Sequence, residues 1–393
     1  MRSMLVLALA VATCLLAAAP ARADYNTVWD NGPSSNRVDM VFLGDGYTAS
    51  QLNTLYPQHI DAMLDHMFVD EDPFNRYRNF FNVYRVNVAS NQSGADVPPD
   101  GVFRDTALGG TYFLDGVTDR LLGVNESLAD AAVTANLAGS GITPEMRLVT
   151  VNDTRYGGSG GKYAVFAGGN SDATEIALHE LGHSFGGLAD QYGGFTTPYV
   201  GPEPSQPDIT TDPTGQKWSQ WLGYDQPGIG VIGAYEGGGY YEEGIFRPSE
   251  NSKMRSLGQP FDAVGREQLI LSIYDHVRPL DAYLATGSVL DSATPLWVDA
   301  VDTDVIKLHW YVDGNLIPGA TGETFDPAGF GLTSGQHQIR LVAEDETDWV
   351  RIDLDKLRQE VTWTVNVVPE PSTFALAGLG AIVLFLTAAR RRR

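Results

Sequence analysis

The sequence predicts a mixed α/β domain over residues 24–285 followed by an all-β domain over residues 286–367. Three observations carry this. Up to Ala285, short apolar runs rich in Val, Tyr and Phe alternate with stretches of helical period, the pattern of strands and helices in one sheet. Beyond Ala285 only strand-length runs remain, separated by turn residues. Between the two, a glycine-rich turn and a short apolar run lead into a helix with two histidines four residues apart. A chain of 393 residues is long enough for two hydrophobic cores.

Val38-Asp39-Met40-Val41-Phe42-Leu43 reads as a buried strand stopped by Gly44-Asp45-Gly46. Apolar residues at Leu52, Leu55, Ile60, Met63, Leu64 and Phe68 then follow a helical period. Residues 81–89 and 146–152 read as further strands, and residues 162–167, after the glycines of 157–161, as an edge strand. An edge strand there could pair with an extended substrate. Residues 200–229, with five prolines, read as a loop draped over a cleft. In the all-β part, Trp297-Val298-Asp299-Ala300 and residues 306–312, 338–343 and 361–368 have strand character, with turns at Asp313-Gly314-Asn315 and Ser334-Gly335. Such a unit resembles an immunoglobulin-like β-sandwich serving as spacer or docking module.

Both ends read as targeting segments. Residues 1–23 carry Arg2, an apolar run and small residues at Ala21 and Ala23, which fits a cleaved signal peptide. The only cysteine, Cys14, lies inside it, so the exported chain has neither disulfide nor thiolate chemistry. At the other end, Val368-Pro369-Glu370-Pro371-Ser372 precedes an apolar run and four arginines, Arg390 to Arg393. This order over 368–393 resembles the PEP-CTERM sorting signal of Gram-negative bacteria. The apolar run, Thr373 to Ala389, is long enough for a transmembrane helix that anchors the chain at least transiently in the inner membrane, and a plain C-terminal anchor is the alternative reading. The resemblance implies recognition by an exosortase, removal of the tail and a cell-surface or matrix location. Arginines after an apolar helix stay cytoplasmic. The formal net charge is −23 although both ends are basic, so the body is more acidic still. That excludes nucleic acid and anionic lipid surfaces as natural partners.

The chemistry concentrates at His179-Glu180-Leu181-Gly182-His183. Residues four apart share one helix face, so both imidazoles can reach one ion, and neutral imidazole suits Zn²⁺. Glu180 projects beside the open coordination position, where it can act as general base toward water. Gly186-Gly187 ends the helix. In the metzincin pattern a third ligand follows ten residues after the first histidine. Ala189 stands there and cannot bind metal, whereas Asp190, one residue on, can. Glu236, Glu242 and Glu243 are rival third ligands, disfavoured by the adjacent Gly237-Gly238-Gly239. Met254, within Ser252-Lys253-Met254-Arg255-Ser256, suits an apolar floor beneath the histidines. Tyr235, Tyr240 and Tyr241 are candidates to assist at the oxyanion or to touch substrate. Asp45, Asp96, Asp100, Asp115 and Asp119 form no twelve-residue calcium loop and read as solvated carboxylates. No glycine-flanked nucleophilic serine stands out.

Several separated motifs together resemble the bacterial IgA peptidase family of metzincin-like zinc endopeptidases. They are Asp39 through Tyr47, Phe80-Phe81-Asn82-Val83-Tyr84-Arg85-Val86, His179 through Tyr192, and Phe246 through Met254. The resemblance implies one catalytic Zn²⁺ on His179, His183 and Asp190, Glu180 as base, and a protein or peptide substrate. It does not imply that immunoglobulin A is cut. Members often carry Glu where this chain has Gln191, so a charge beside the metal is lost. The expected function is that of a secreted zinc endopeptidase, α/β in fold and followed by the β-sandwich. The contrary expectation is a non-catalytic surface adhesin or matrix protein with a structural zinc site.

Overall fold

The computed structural model describes residues 24–368. The segments expected to be signal peptide and sorting tail lie outside these residues, apart from Val368. Among the described residues no helix is long and apolar enough to cross a membrane.

A six-stranded mixed sheet organises the first part. Its strands are β1 (Tyr25–Trp29), β2 (Val38–Asp45), β3 (Phe81–Val86), β4 (Pro144–Val151), β5 (Gly158–Ser159) and β6 (Ala164–Ala167), in the order β1-β3-β2-β4-β6-β5. β3, β2, β4 and β6 run parallel, while β1 and β5 pair antiparallel at the two edges. β2 is buried along its whole length, as a central parallel strand covered on both faces must be. Helices α1 (Leu55–Asp65) and α3 (Ala173–Ser184) pack on one face with Met40, Phe42, Leu148 and Phe166. α2 (Glu126–Leu137) covers the other, capped by Asn125, whose side chain accepts from Ser127 and Leu128 N–H.

The strand expected over 162–167 starts later, and it is not open for pairing. β6 is bonded to β4 on one side and β5 on the other. β5 is itself flanked, since Gly158 N–H donates to Arg120 O and Gly158 O accepts from Leu122 N–H. Asp45 also departs from expectation. It is fully buried and accepts from Leu108 N–H and Gly110 N–H, both at 2.7 Å, and from Thr106 Oγ1 at 3.0 Å, tying a loop to the end of β2.

After α3 the chain runs through β7 (Asp225–Gln226) and β8 (Gly230–Val231), then the hairpin β9 (Tyr235–Gly238) and β10 (Tyr241–Arg247), into α4 (Ala263–Tyr274). The remainder is all β. β11 (Leu280–Tyr283), β13 (Leu296–Ala300) and β16 (Thr324–Phe325) form one sheet. β12 (Val289–Asp291), β18 (Arg358–Val367), β17 (Gly335–Asp345), β14 (Ile306–Val312) and β15 (Asn315–Leu316) form a second, in that order. Trp310 and Trp363 of the larger sheet stack 5.6 Å apart, and Phe325 of the smaller stacks on Trp310 at 5.2 Å.

The all-β part does not hang from a linker. One apolar core continues from β2 and α1 through α3 and α4 to Trp310, Leu341 and Trp363. Asp345, at the end of β17 and buried, accepts from Arg76 Nη2 at 2.6 Å, Tyr77 OH at 2.6 Å and Tyr274 OH at 2.9 Å. Glu267 of α4 accepts from Trp221 Nε1 and Gln220 Nε2, and also from Arg351 N–H. The β-sheets thus brace α4, whose Leu269 lies against Gly186 just beyond the end of α3. Asp345→Ala leaves three donors without an acceptor and is expected to cost about 3 kcal/mol. Urea unfolding of the full chain measures this, and an unchanged midpoint would mean that the junction contributes nothing.

Candidate metal centre

α3 begins just beyond β6 and buries Ile176, Ala177, Leu178 and Leu181, which turns His179, Glu180 and His183 toward the sheet edge. The two Nε2 atoms stand 3.2 Å apart, with the rings nearly perpendicular at 88°. Asp190 Oδ1 lies 3.0 Å from His179 Nε2 and 3.3 Å from His183 Nε2. The far side of each ring is also fixed. His179 Nδ1 faces Lys253 O at 3.0 Å, and His183 Nδ1 faces Leu188 O at 2.8 Å. A carbonyl only accepts, so each Nδ1 carries a proton and each Nε2 is the ring atom turned to the cluster.

Two ring nitrogens and a carboxylate oxygen converging in this way call for a cation. Ligands about 2.0–2.1 Å from a tetrahedral zinc stand roughly 3.3 Å apart, close to the three separations found here. In the chain alone a proton takes that place. Burial works to lower His183, but the bond to Asp190 and the charges of Asp190 and Glu180 outweigh it and raise it to about 9. Burial likewise works to raise Asp190, and its bonds to both histidines carry it far below the usual carboxylate range. The donor set therefore fits Zn²⁺.

The turn that delivers Asp190 is tightly specified. Gly187 has φ +63°, Leu188 N–H donates to Gly182 O, and Ala189 N–H donates to the buried Asp208 at 2.8 Å. Ala189 is buried in a small apolar cluster, and Asp190 turns back to the histidines. Tyr240 OH donates to Asp190 Oδ2, from a residue held at φ +71°. A side chain in that backbone region is strained, and such strain collects at functional sites. The other two tyrosines are not brought to the cluster. Tyr235 OH donates to Val231 O, and the Tyr241 ring packs on Phe195 and Tyr199. The rival ligand Glu236 accepts from Gly244 N–H, and Glu242 lies against Gly193.

Glu180 is buried, with a carboxylate oxygen within 4.8 Å of the histidine nitrogens. Asp190 lies nearer to them, at 3.0 and 3.3 Å, so either carboxylate could complete a metal group with the histidines and the distances favour Asp190. Burial raises the Glu180 carboxyl above its ordinary range, and both histidines pull the other way. A cleft of about 290 Å³ opens over His179 and Glu180, walled in part by Tyr156, Ile176, Tyr192 and Leu257. The glycine turn closes on the same residues. A Cβ on Gly158 would stand 2.9 Å from Glu180 Oε1, and one on Gly160 2.5 Å from His183 Cβ. Gly160→Ala is expected to displace His183 and to weaken Zn²⁺ binding by about 10- to 100-fold, the usual cost of disturbing a metal-ligating histidine. Zn²⁺ titration, compared at matched folded fraction, checks this; wild-type affinity in the variant would show that the turn yields freely.

Met254 packs against Gly182, which lies between the two histidines in α3. It is buried, and a Cβ on Gly182 would run into its Sδ. Its carbonyl accepts from Gln191 N–H at 2.8 Å. The neighbouring Lys253 is buried as well. Its Nζ lies 2.6 Å from Glu175 Oε2 and 3.0 Å from Glu71 Oε2, and His66 Nε2 bonds Glu175 at 2.8 Å. His66, Glu71 and Glu175 could form a second metal cluster, but the Lys253 ammonium already supplies their cation. Gln191, read from sequence as a lost charge, is a buried bridge. Its amide donates to Asp208 at 3.0 Å and Asp262 at 3.1 Å, and its carbonyl accepts from Ser252 Oγ at 2.8 Å. Asp208 is pushed up to about 7 by burial. Sequence reasoning missed Lys253, Glu175, Asp208 and Asp262, which have no short-range signature.

Two imidazole nitrogens and a carboxylate oxygen converging beside a buried glutamate form a set that could hold a metal ion. The chain matches the family described as IgA Peptidase M64 over residues 27–230, and the PEP-CTERM protein-sorting motif over residues 367–393. It belongs to the IgA peptidase M64 family. The sorting motif indicates export and surface sorting in Gram-negative bacteria and implies exosortase processing. No curated protein matches the chain. Among solved structures, a Bacteroides ovatus mixed-linkage glucan utilization locus protein, SGBP-B, in complex with a mixed-linkage heptasaccharide is 15% identical over 23% of this chain, with a TM-score of 0.17. The match spans 21% of that protein. The fibronectin(III)-like modules of Clostridium thermocellum CbhA are 17% identical over 23% of this chain and 93% of theirs, with a TM-score of 0.14.

Proposed function

We propose that this peptidase-family protein is a zinc-dependent endopeptidase acting on exported or surface proteins. The observation that supports this reading is the convergence of His179 Nε2, His183 Nε2 and Asp190 Oδ1 at 3.0–3.3 Å beside Glu180. His179, His183 and Asp190 would hold the ion. When bound, zinc supplies Lewis acidity that lowers the pKa of water and polarises a carbonyl. The chain's own groups do the rest. Lys253 O and Leu188 O hold the two imidazoles in register through Nδ1–H. Glu180 takes the proton from the attacking water onto its carboxylate and passes it to the nitrogen of the leaving amine as the C–N bond breaks. Tyr240 OH, on the free oxygen of Asp190, keeps that carboxylate turned to the histidines and would be the one of the three tyrosines to assist at the oxyanion.

Three protein donors leave a fourth position free, which catalysis requires and a structural zinc site does not. That favours the peptidase over the adhesin reading. Residues 24–285 would carry the chemistry, and residues 286–367 would form an immunoglobulin-like brace for it. Chelation with EDTA is expected to abolish casein hydrolysis, and one equivalent of Zn²⁺ to restore it. Hydrolysis that survives chelation would sink the metal mechanism.

A further inference from the structure

We propose that the cleft beside Glu180 is a carboxylate-selective subsite formed by Arg120 and Arg255, so that preferred substrates present a carboxylate next to the scissile bond. This rests on the peptidase reading and names the substrate class for it. Both guanidinium-bearing residues line the same cleft as His179 and Glu180. Arg120 comes from the segment bonded to β5, where its carbonyl accepts from Gly158 N–H. Arg255 comes from the turn directly after Met254, so the two reach the cleft from different parts of the chain.

Each arginine is anchored by neutral groups only. Arg120 Nη2 donates to Tyr192 OH at 3.2 Å, and its guanidinium lies 5.6 Å from the centre of the Tyr192 ring. Arg255 Nη1 donates to Glu250 O. Among the described residues no carboxylate lies within 4.0 Å of either guanidinium; Arg37, Arg76 and Arg340 have such a partner, while Arg78, Arg85, Arg104 and Arg351 are, like these two, without one. A guanidinium has five donors in a planar fork, so most of them remain for a ligand. In a chain of net charge −23, this cleft sets two guanidinium groups with free donors beside His179 and Glu180. Ile176, Leu257, Tyr156 and Tyr192 supply an apolar wall for the methylenes of a glutamate, with the charge at its end.

A carboxylate here has two sources, an Asp or Glu side chain or the free C-terminus of a peptide. Quenched-fluorescence peptides differing only by Glu, Gln or Lys at each position around the cleaved bond separate them, each made with a free and an amidated C-terminus. Wild type is expected to prefer Glu over Gln at one position, or free over amidated ends, by about 10- to 100-fold in kcat/KM, the worth of charge-assisted hydrogen bonds. Arg120→Glu and Arg255→Glu are expected to invert the order toward Lys, a reversal that mere structural damage would not produce. The same peptides are titrated onto Glu180→Gln by fluorescence anisotropy, where affinity should follow the same order. Equal handling of Glu, Gln and Lys peptides with either end, or a Glu preference that survives both substitutions, overturns the subsite. Failure of wild type to cut any peptide would instead count against the peptidase reading, and the anisotropy order would still decide the subsite.

Discussion

Glu180→Gln is expected to lower kcat by about 10²- to 10⁴-fold while the protein keeps one bound zinc per chain. The amide has nearly the shape of the carboxylate, so the packing of Ile176 and Gly158 around it is retained. What is lost is the ability to take and return a proton. The three donors that fit the ion, His179 Nε2, His183 Nε2 and Asp190 Oδ1, do not include Glu180. Turnover of a fluorogenic peptide together with metal content checks the expectation. Loss of the metal along with the activity would make Glu180 a ligand rather than the base.

Lys253→Met is expected to destabilise the chain by about 3–5 kcal/mol. The substitution keeps most of the apolar stem and removes the ammonium that stands between Glu71 and Glu175. Two largely buried carboxylates would then face each other without a cation, near the end of α1 and the start of α3. The residue also acts through its backbone, because Lys253 O receives the Nδ1–H of His179. Destabilisation should therefore be accompanied by weaker zinc binding. Adding Glu71→Gln and Glu175→Gln to the variant should recover much of the stability, since neutral amides need no cation. A urea midpoint unchanged from wild type would show that the ion network is solvated rather than buried.

Local patterns made part of this molecule legible. The strand at residues 306–312 reads directly from alternation, and its burial alternates just as cleanly. β2 reads from a continuous apolar run because a central parallel strand is buried on both faces. The histidines share a helix face through their spacing, and Asp190 stood out because Ala189 has no donor atom. α4 escaped notice for the opposite reason. It is buried on nearly every side between the two parts of the chain, so it carries no amphipathic period to read.

The choice among Tyr235, Tyr240 and Tyr241 could not be made from spacing, because the hairpin of β9 and β10 decides which hydroxyl meets Asp190. The Lys253–Glu175 pair is separated by 78 residues and the Arg76–Asp345 pair by 269, so neither leaves a trace in local sequence. Asp45 looked like a solvated loop carboxylate only because the loop it fastens, residues 106–110, lies 61 to 65 residues on.

The most direct test of the metal centre is zinc K-edge X-ray absorption on the protein loaded with one equivalent of Zn²⁺, beside Asp190→Ala. The arrangement of His179, His183 and Asp190 predicts a four-coordinate ion with two imidazole nitrogens and two oxygens at about 2.0–2.1 Å, and weakened binding in the variant. A six-coordinate, all-oxygen shell, or an identical spectrum and affinity in Asp190→Ala, would contradict it.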